Sequence, residues 1–198
     1  MNNKLNKQFY TRSNVTDIAR DLLGKFLWTN FDNNITVGKI VETEAYCGAT
    51  DRACHAFPDK RTERTEVMFR EGGYAYIYFV YGMHHLFNIV TNVEGRADAV
   101  LIRAIEPVEG EDIMKTRRSV DISNRLLTGG PARLTKALGI DVSHNNTKLS
   151  SNTIWLTDGE SVSEDQIVAT TRIGVDYAGD DAYLPWRYYI KGNKYVSK

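Results

Sequence analysis

The clearest alternation of apolar and polar residues in this chain runs through positions 35–46. Successive side chains of a β-strand point to opposite faces, so every second residue of such a segment shares a face. A carboxylate beside a flat ring on one strand face suits an enzyme that stacks a planar substrate and activates water next to it. The face predicted to carry this chemistry consists of Ile40, Glu42, Glu44 and Tyr46.

Patterns elsewhere in the chain predict a β-rich α+β domain. Helix periodicity and helix-end signals predict helices at 13–23, 107–118 and 131–138, with Ser13 as N-cap of the first and Pro131 opening the last. The strand and helix signals do not alternate in the βαβ rhythm of a doubly wound parallel sheet. Strands are predicted at 26–31, 35–46, 74–80, 85–92, 98–106, 153–157, 167–174 and 186–191.

Length and composition favour a single cytoplasmic domain. The 198 residues suffice for one well-buried core, expected over residues 9–198 after a loose segment at 1–8. No apolar run approaches the roughly 20 residues of a membrane span, so no membrane partner is expected. The spacing of Cys47 and Cys54 fits neither a zinc knuckle nor a disulfide framework, which favours reduced thiols. The 25 basic and 25 acidic residues cancel, which excludes a strongly basic chain but not a local basic patch.

The row of tyrosines in residues 74–81 is a second candidate for chemistry. Tyr74, Tyr76 and Tyr78 share one strand face, and Tyr81 lies at the following turn. The row could pack against the core, or it could form a platform on which each stacked base gains about 1–3 kcal/mol. An aromatic ring at the turn could also act as a wedge between base pairs.

Charged and polar residues within apolar strands allow several interpretations. Glu42 and Glu44 would lie about 7 Å apart on one strand face. They could form a solvated surface, act as a pair of glycosidase acids, or include one general base. Arg103 lies in an apolar strand, where it needs a carboxylate such as Glu44 or Glu106, or else serves to hold water or phosphate. Asn88 is either a satisfied core amide or a specificity element.

The histidines provide no metal-binding pattern. His84 and His85 are adjacent and would point apart in a strand, and neither HExxH nor a zinc-type cysteine spacing occurs. We therefore expect no metal and no cofactor. On the residues alone, two other functions remain possible. One is a metal-dependent hydrolase using Glu42, Glu44 and His55, and the other is a binding module whose tyrosines stack on bases without catalysis.

Four stretches together resemble the alkyladenine (3-methyladenine) DNA glycosylases, and the chain is identified as a bacterial member of that family. The stretches are 39–46 with His55, 76–88, 101–110 and 130–140, in the family's order and at nearly its spacing. The resemblance covers residues 8–196. It implies one α+β domain with a curved, mainly antiparallel sheet, surrounding helices and a protruding β-hairpin.

The resemblance implies a monofunctional enzyme that releases damaged purines from DNA without a metal or an amine nucleophile. Glu44 matches the base that activates water for attack on the sugar C1′, and Arg103 matches the arginine that holds that water. Glu42 is left with a supporting or structural role. No lyase step is expected, and no residue of the matched stretches is an obvious acid for the leaving base.

The same resemblance assigns the residues that surround the flipped base. Tyr46, His55 and Tyr78 match the pocket walls, and Asn88 matches the residue that crowds the 2-amino group of normal guanine. Tyr81 matches the side chain that intercalates into the vacated place in the stack.

The expected partner is double-stranded DNA that contains damaged purines, bound by a monomer at the nucleoid. The expected substrates are 3-methyladenine, other alkylated purines and hypoxanthine. Because the chain is neutral overall, a localised basic face is predicted to meet the phosphates. Its candidate members are Arg61, Arg64, Arg70, Lys115, Arg117, Arg118, Arg133 and Lys136.

Overall fold

The computed structural model describes residues 3–197, which form an α+β domain around an antiparallel sheet. The main path of this sheet runs β3-β4-β5-β2-β1-β6, and β8 joins it by pairing with both β2 and β7. The fold class predicted from the sequence is thus confirmed. The strands are β1 (Phe26–Phe31), β2 (Asn34–Tyr46), β3 (Ala75–Val80), β4 (His84–Thr91), β5 (Asp98–Glu109), β6 (Ile154–Thr157), β7 (Ile167–Thr170) and β8 (Arg187–Ile190).

The helices are short and surround the sheet. The largest apolar cluster joins residues of the second and fifth helices, including Ile18 and Leu134, to sheet residues such as Phe87 and Ile102. A second cluster, containing Met68 and Tyr76, lies under the segment that follows β2. The α-helices are α1 (Lys7–Tyr10), α2 (Val15–Asp21), α3 (Glu111–Arg118), α4 (Arg125–Thr128) and α5 (Pro131–Leu138). The 3₁₀-helices span Glu66–Phe69, Val142–His144, Glu164–Gln166 and Asp176–Tyr183.

Strand β2 lies at the centre of the molecule. Its first half pairs with β1, whereas Glu42–Glu44 pairs with β5 on one side and with β8 on the other. Backbone hydrogen bonds therefore hold this part of the strand from both edges. Side chains on it start from a backbone that has little freedom to move.

The alternation predicted for residues 40–46 is wrong at Ile40. Ile40 and Ala45 both belong to the main core, although strict alternation would send residues five apart to opposite faces. The register with β5 shifts between Ile40 and Thr43, where an irregularity of the β-bulge type interrupts the pleat. The strand face proposed to carry catalytic residues therefore consists of Glu42, Glu44 and Tyr46, without Ile40.

Two predicted helices are shorter than expected, and α1 and α4 were not predicted. Helix α2, predicted over 13–23, begins at Val15 and is capped by the Asn14 side chain, which accepts from the Thr16 N–H, and not by Ser13. The helix predicted over 107–118 begins only at Glu111, because β5 stays paired with β2 through Glu109. Gly110 makes the break with φ 73°, and a Cβ there would lie 2.4 Å from the Ile35 carbonyl oxygen.

The strand predicted at 167–174 is also shorter than expected. It ends at Thr170, so residues 171–175 leave the sheet.

Part of the N-terminal segment expected to be loose makes defined contacts: the Leu5 N–H donates to the Leu156 carbonyl, and the Lys4 ammonium donates to Asn152. Met1, Asn2 and Lys198 lie outside the described residues. Among residues 3–197, no helix has the length and apolar character needed to cross a bilayer.

Candidate active site

A cavity of about 360 Å³ opens beside the sheet, between the β3–β4 hairpin and the segments at 53–55 and 173–177. Its wall includes an apolar part, with Leu101 and Val175, and a small set of polar and aromatic side chains. Every site residue predicted from the sequence except Glu44 lines it. Those residues are Tyr46, His55, Tyr78, Tyr81, Asn88 and Arg103.

Glu44 lies directly behind this wall, fully buried, and touches the cavity through its partners. Its Oε1 accepts from the Ile173 backbone N–H at 2.8 Å and lies 3.2 Å from Arg103 Nη1. Its Oε2 accepts from the Tyr46 hydroxyl at 2.7 Å. A carboxylate offers about four acceptor positions, so these three contacts leave capacity for one further donor, such as water.

Glu42 is equally buried but has no such capacity. Its Oε1 accepts from Arg103 Nε at 3.0 Å, Arg187 Nε at 2.7 Å and the Ser197 hydroxyl at 2.8 Å. Its Oε2 accepts from the Ser197 backbone N–H at 2.7 Å. Four donors occupy the carboxylate, which is typical of a structural anion. The two glutamates, alike in the sequence, thus have different environments.

Arg103 connects the two carboxylates. Burial lowers the pKa of its guanidinium, but Glu44 and Glu42 raise it, and the net effect is a pKa above the usual value. The side chain therefore keeps its charge in a nearly water-free position. It presents Nε to Glu42 and Nη1 to Glu44 while lining the cavity.

The aromatic walls are neutral and hydrogen-bonded. The His55 and Tyr78 rings meet edge to face, with centroids 4.6 Å apart, and His55 Nδ1 lies 2.9 Å from the Tyr76 hydroxyl. Burial, together with the charge of Arg64, lowers the pKa of His55 to about 4. Arg64 Nη2 lies 3.4 Å from His55 Nε2 and can only donate, which leaves the ring proton on Nδ1. Burial, followed by Glu44, raises the pKa of the Tyr46 phenol well above its usual value.

Asn88 occupies the wall on β4, where it is buried opposite Tyr76 of β3. Its amide Nδ2 donates to the Tyr76 carbonyl oxygen at 3.1 Å. This bond fixes the orientation of the amide across the two strands of the hairpin. The residue is thus both a satisfied buried amide and part of the cavity wall.

The turn of the β3–β4 hairpin presents Tyr81 to solvent. The Met83 N–H donates to the Val80 carbonyl, and both Tyr81 and Gly82 have positive φ, at 53° and 67°. A bulky residue rarely adopts this conformation, and the Tyr81 side chain is 90% exposed. An exposed aromatic ring on a strained backbone does not stabilise the fold. Its position therefore suggests contact with another molecule.

A buried ion pair lies beneath Tyr46. The two terminal nitrogens of the Arg172 guanidinium bind the two oxygens of Asp51, and Nη1 also donates to the Ala45 carbonyl at 2.9 Å. The guanidinium lies 4.8 Å from the centroid of the Tyr46 ring. Because Ile173 follows directly, this pair also delivers its N–H to Glu44.

Comparison with known proteins identifies the chain. The family model described as methylpurine-DNA glycosylase (MPG) matches residues 8–194. The chain belongs to the methylpurine-DNA glycosylase family. The family predicted from the four sequence stretches is thereby confirmed.

Individual relatives agree along almost the whole length. A protein of Carboxydothermus hydrogenoformans is 53% identical over 195 residues, which cover 98% of each chain. Proteins of Clostridium botulinum and Natranaerobius thermophilus are 44% and 41% identical, again over 98% of each chain. All three carry the name "Putative 3-methyladenine DNA glycosylase". The protein is accordingly a DNA glycosylase of alkylated-base repair, a hydrolase that acts on N-glycosyl bonds in DNA.

Sequence reasoning missed several residues around the candidate site. Asp51 and Arg172 lie 121 residues apart, and neither stands in a local pattern that indicates a partner. Ile173 contributes a backbone N–H, which no side-chain pattern can reveal. Arg187 binds Glu42 from a stretch predicted only as a strand, and Ser197 binds it from beyond any predicted element.

The basic face predicted for the glycosylase is only partly available. Arg64 lies over the ring of Tyr78, which lines the cavity, whereas Arg61 and Arg70 lie over Phe69 and Tyr74, which do not. Lys115 pairs with Glu111, and Arg118 donates to backbone carbonyl groups. Arg117 and Arg133 also donate to backbone carbonyl groups, whereas Lys136 is exposed on α5.

Within residues 3–197, no group of three or more His, Cys, Asp and Glu residues could hold a metal ion.

Proposed function

We propose that this glycosylase extrudes a damaged purine from duplex DNA into the cavity and hydrolyses its N-glycosidic bond with water activated by Glu44. The observation that carries the proposal is the environment of Glu44. It is a buried carboxylate with one acceptor position free, held between Arg103, Tyr46 and a backbone N–H. In this proposal the enzyme acts as a monomer.

Extrusion is required because a base within a duplex is out of reach of catalytic groups. The cost is a few kcal/mol, and it is smallest for a damaged or mispaired nucleotide. The rings of Tyr46, His55 and Tyr78 line the cavity and offer faces and edges for stacking. Tyr81, exposed at the hairpin turn, would fill the place that the base vacates. Asn88 would exclude the 2-amino group of an undamaged guanine.

Hydrolysis follows from the position of Glu44. The carboxylate takes a proton from water, whose oxygen bonds to C1′ while the bond from C1′ to the purine breaks and its electron pair leaves with the base. Arg103 holds the water and the carboxylate in place. A positioned general base of this kind contributes about 10²–10⁴-fold.

The leaving group decides the substrate class. A cationic alkylated purine leaves as a neutral base, whereas hypoxanthine needs a proton. His55, with a pKa of about 4, is neutral near pH 7 and cannot supply it. The site is therefore best suited to cationic alkylated purines such as 3-methyladenine and 7-methylguanine, with slower release of hypoxanthine. Among the described residues that line the cavity none is a lysine, which supports hydrolysis without a lyase step.

The test is release of free base from a duplex that contains one 7-methylguanine. The wild-type protein should release the base, and Glu44→Gln should lower the single-turnover rate by at least about 100-fold. Lesion binding should be retained, because the amide keeps the shape of the carboxylate. An undamaged duplex and addition of EDTA serve as controls. Full turnover by a Glu44→Gln protein that binds the lesion normally would refute the assignment of the base.

A further inference from the structure

Ser197 binds the catalytic network with all of its polar groups. Its backbone N–H and its hydroxyl donate to the two oxygens of Glu42, at 2.7 Å and 2.8 Å. The hydroxyl oxygen also accepts from Arg103 Nη2 at 3.3 Å, and the carbonyl oxygen accepts from Arg187 Nη2 at 3.3 Å. The residue is only 7% exposed although it follows the last strand. Nothing in the aromatic pocket requires it there.

These contacts determine the direction of the Arg103 guanidinium. The group is a rigid planar fork, so fixing two of its nitrogens fixes the third. Nε is held by Glu42 and Nη2 by the Ser197 hydroxyl, and Nη1 then lies 3.2 Å from Glu44. Glu42 is itself oriented by Ser197, since both of its oxygens accept from that residue.

We propose that Ser197 is a positioning residue for base excision, which holds Arg103 in the orientation that serves Glu44. This inference rests on the roles of Glu44 and Arg103 in the proposed function. Ser197 touches neither the cavity nor the base, and it acts through Arg103 alone. A purely structural role would instead make it one more anchor for the segment that follows β8.

The two roles predict different kinetics for Ser197→Ala. Loss of the hydroxyl removes its contacts with Arg103 Nη2 and Glu42 Oε1 but leaves the backbone bond to Glu42 Oε2 in place. Since a hydrogen bond to a charged group is lost, we expect the maximal single-turnover rate to fall about 5- to 20-fold. The enzyme concentration that gives half this rate on a 7-methylguanine duplex should stay within about 2-fold, because Ser197 does not line the cavity that receives the base. Ser163→Ala, at an exposed serine without a capping bond, is the matched control.

A double-mutant cycle shows whether the effect passes through Arg103. In an Arg103→Gln background, Ser197→Ala should change the rate by less than about 2-fold, since the group that it orients is gone. An unchanged rate for Ser197→Ala alone, or the same loss in both backgrounds, would overturn the proposal.

Two further results separate this inference from the proposed function. If Arg103→Gln lowers the single-turnover rate and Ser197→Ala leaves it at the wild-type value, only the role of Ser197 fails. If Arg103→Gln keeps the full rate, the role of Arg103 fails and that of Ser197 fails with it. Should Ser197→Ala not fold, Ser197→Cys retains a weak donor and should show a smaller loss that again disappears beside Arg103→Gln.

Discussion

The floor of the cavity and the tip of the hairpin are built in opposite ways. The floor, which we define as Glu42, Glu44 and Arg103, is buried between paired strands, and its two carboxylates share seven donor contacts in the bonds and ion pairs described above. The tip, which we define as Tyr81 to Met83, is exposed and has positive φ at Tyr81 and Gly82. The side chains of the floor are held in place by the surrounding strands, whereas those of the tip are not.

This difference separates stability from recognition. A buried charge is stable only when its oppositely charged partners are present. Removal of one partner leaves an uncompensated buried charge, which destabilises the fold. An exposed ring with no core contact can be removed at almost no cost to the fold. Substitutions in the floor should therefore lower both stability and rate, and those in the tip should affect only the interaction with DNA.

Glu42→Gln should have the largest effect on stability. It removes a fully buried charge that compensates Arg103 and Arg187, and breaking a buried pair costs about 3–5 kcal/mol. Urea denaturation of the wild type and the variant measures the change in the free energy of unfolding. A loss below about 1 kcal/mol, the size expected of an exposed pair, would contradict the contrast between floor and tip.

Tyr81→Ala should leave the fold intact and weaken lesion recognition. Loss of one stacking ring corresponds to about 1–3 kcal/mol, so affinity for a lesion duplex should fall about 5- to 150-fold. Titration of a fluorescent duplex measures the affinity. The free energy of unfolding, measured by urea denaturation, should agree with that of the wild type within about 0.5 kcal/mol. Unaltered affinity would show that the ring does not enter the DNA.

Tyr81→Gly tests the backbone of the tip. Glycine adopts positive φ without the Cβ clash that tyrosine and alanine share, a clash of about 1–2 kcal/mol. The Tyr81→Gly protein should therefore be more stable than Tyr81→Ala by about 1 kcal/mol. Equal stability of the two variants would mean that the tip stores no strain.

The His55 residue is exposed, so solvent screens its interactions and we expect the smallest effect here, a dependence of stability on pH. Its pKa is about 4 in the folded protein and near 6.5 in an unfolded chain. The unfolded state thus binds more protons between these values, so stability should fall as the pH is lowered from about 6.5 to about 4. NMR titration of the His55 ring measures the pKa directly. In urea series, a His55→Gln protein should lack this part of the pH dependence, and an identical dependence would contradict the lowered pKa of the ring.

The accuracy of the sequence predictions follows the range of the interactions that decide each feature. The strand Phe26–Phe31 and the helix Pro131–Leu138 were predicted to the residue, because alternation and the Gly-Gly-Pro helix start are local signals. The bulge near Glu42 and the strand continuing to Glu109 depend on pairing with a distant strand, and these were missed.

The same distinction holds for the candidate site. The predicted residues lie within contiguous motifs on β2, β3, β4 and β5 and in the segment that carries His55. Arg172 and Ser197 reach the site only through contacts with residues more than a hundred positions away, Asp51 and Glu42 respectively. A single sequence has no periodicity that records such pairs. The roles of the predicted residues stay predictions until the variants are measured.

The pairing of β2 with β5 has a consequence for how this site can diversify. Glu44 lies opposite Leu101, two residues before Arg103, so backbone register sets the spacing between carboxylate and guanidinium. The segments at 53–55 and 173–177 that shape the cavity mouth lie outside these strands. If Glu44 and Arg103 act as proposed, changes to side chains in those segments can alter which base enters, while the strand pairing keeps the carboxylate and the guanidinium at the same spacing.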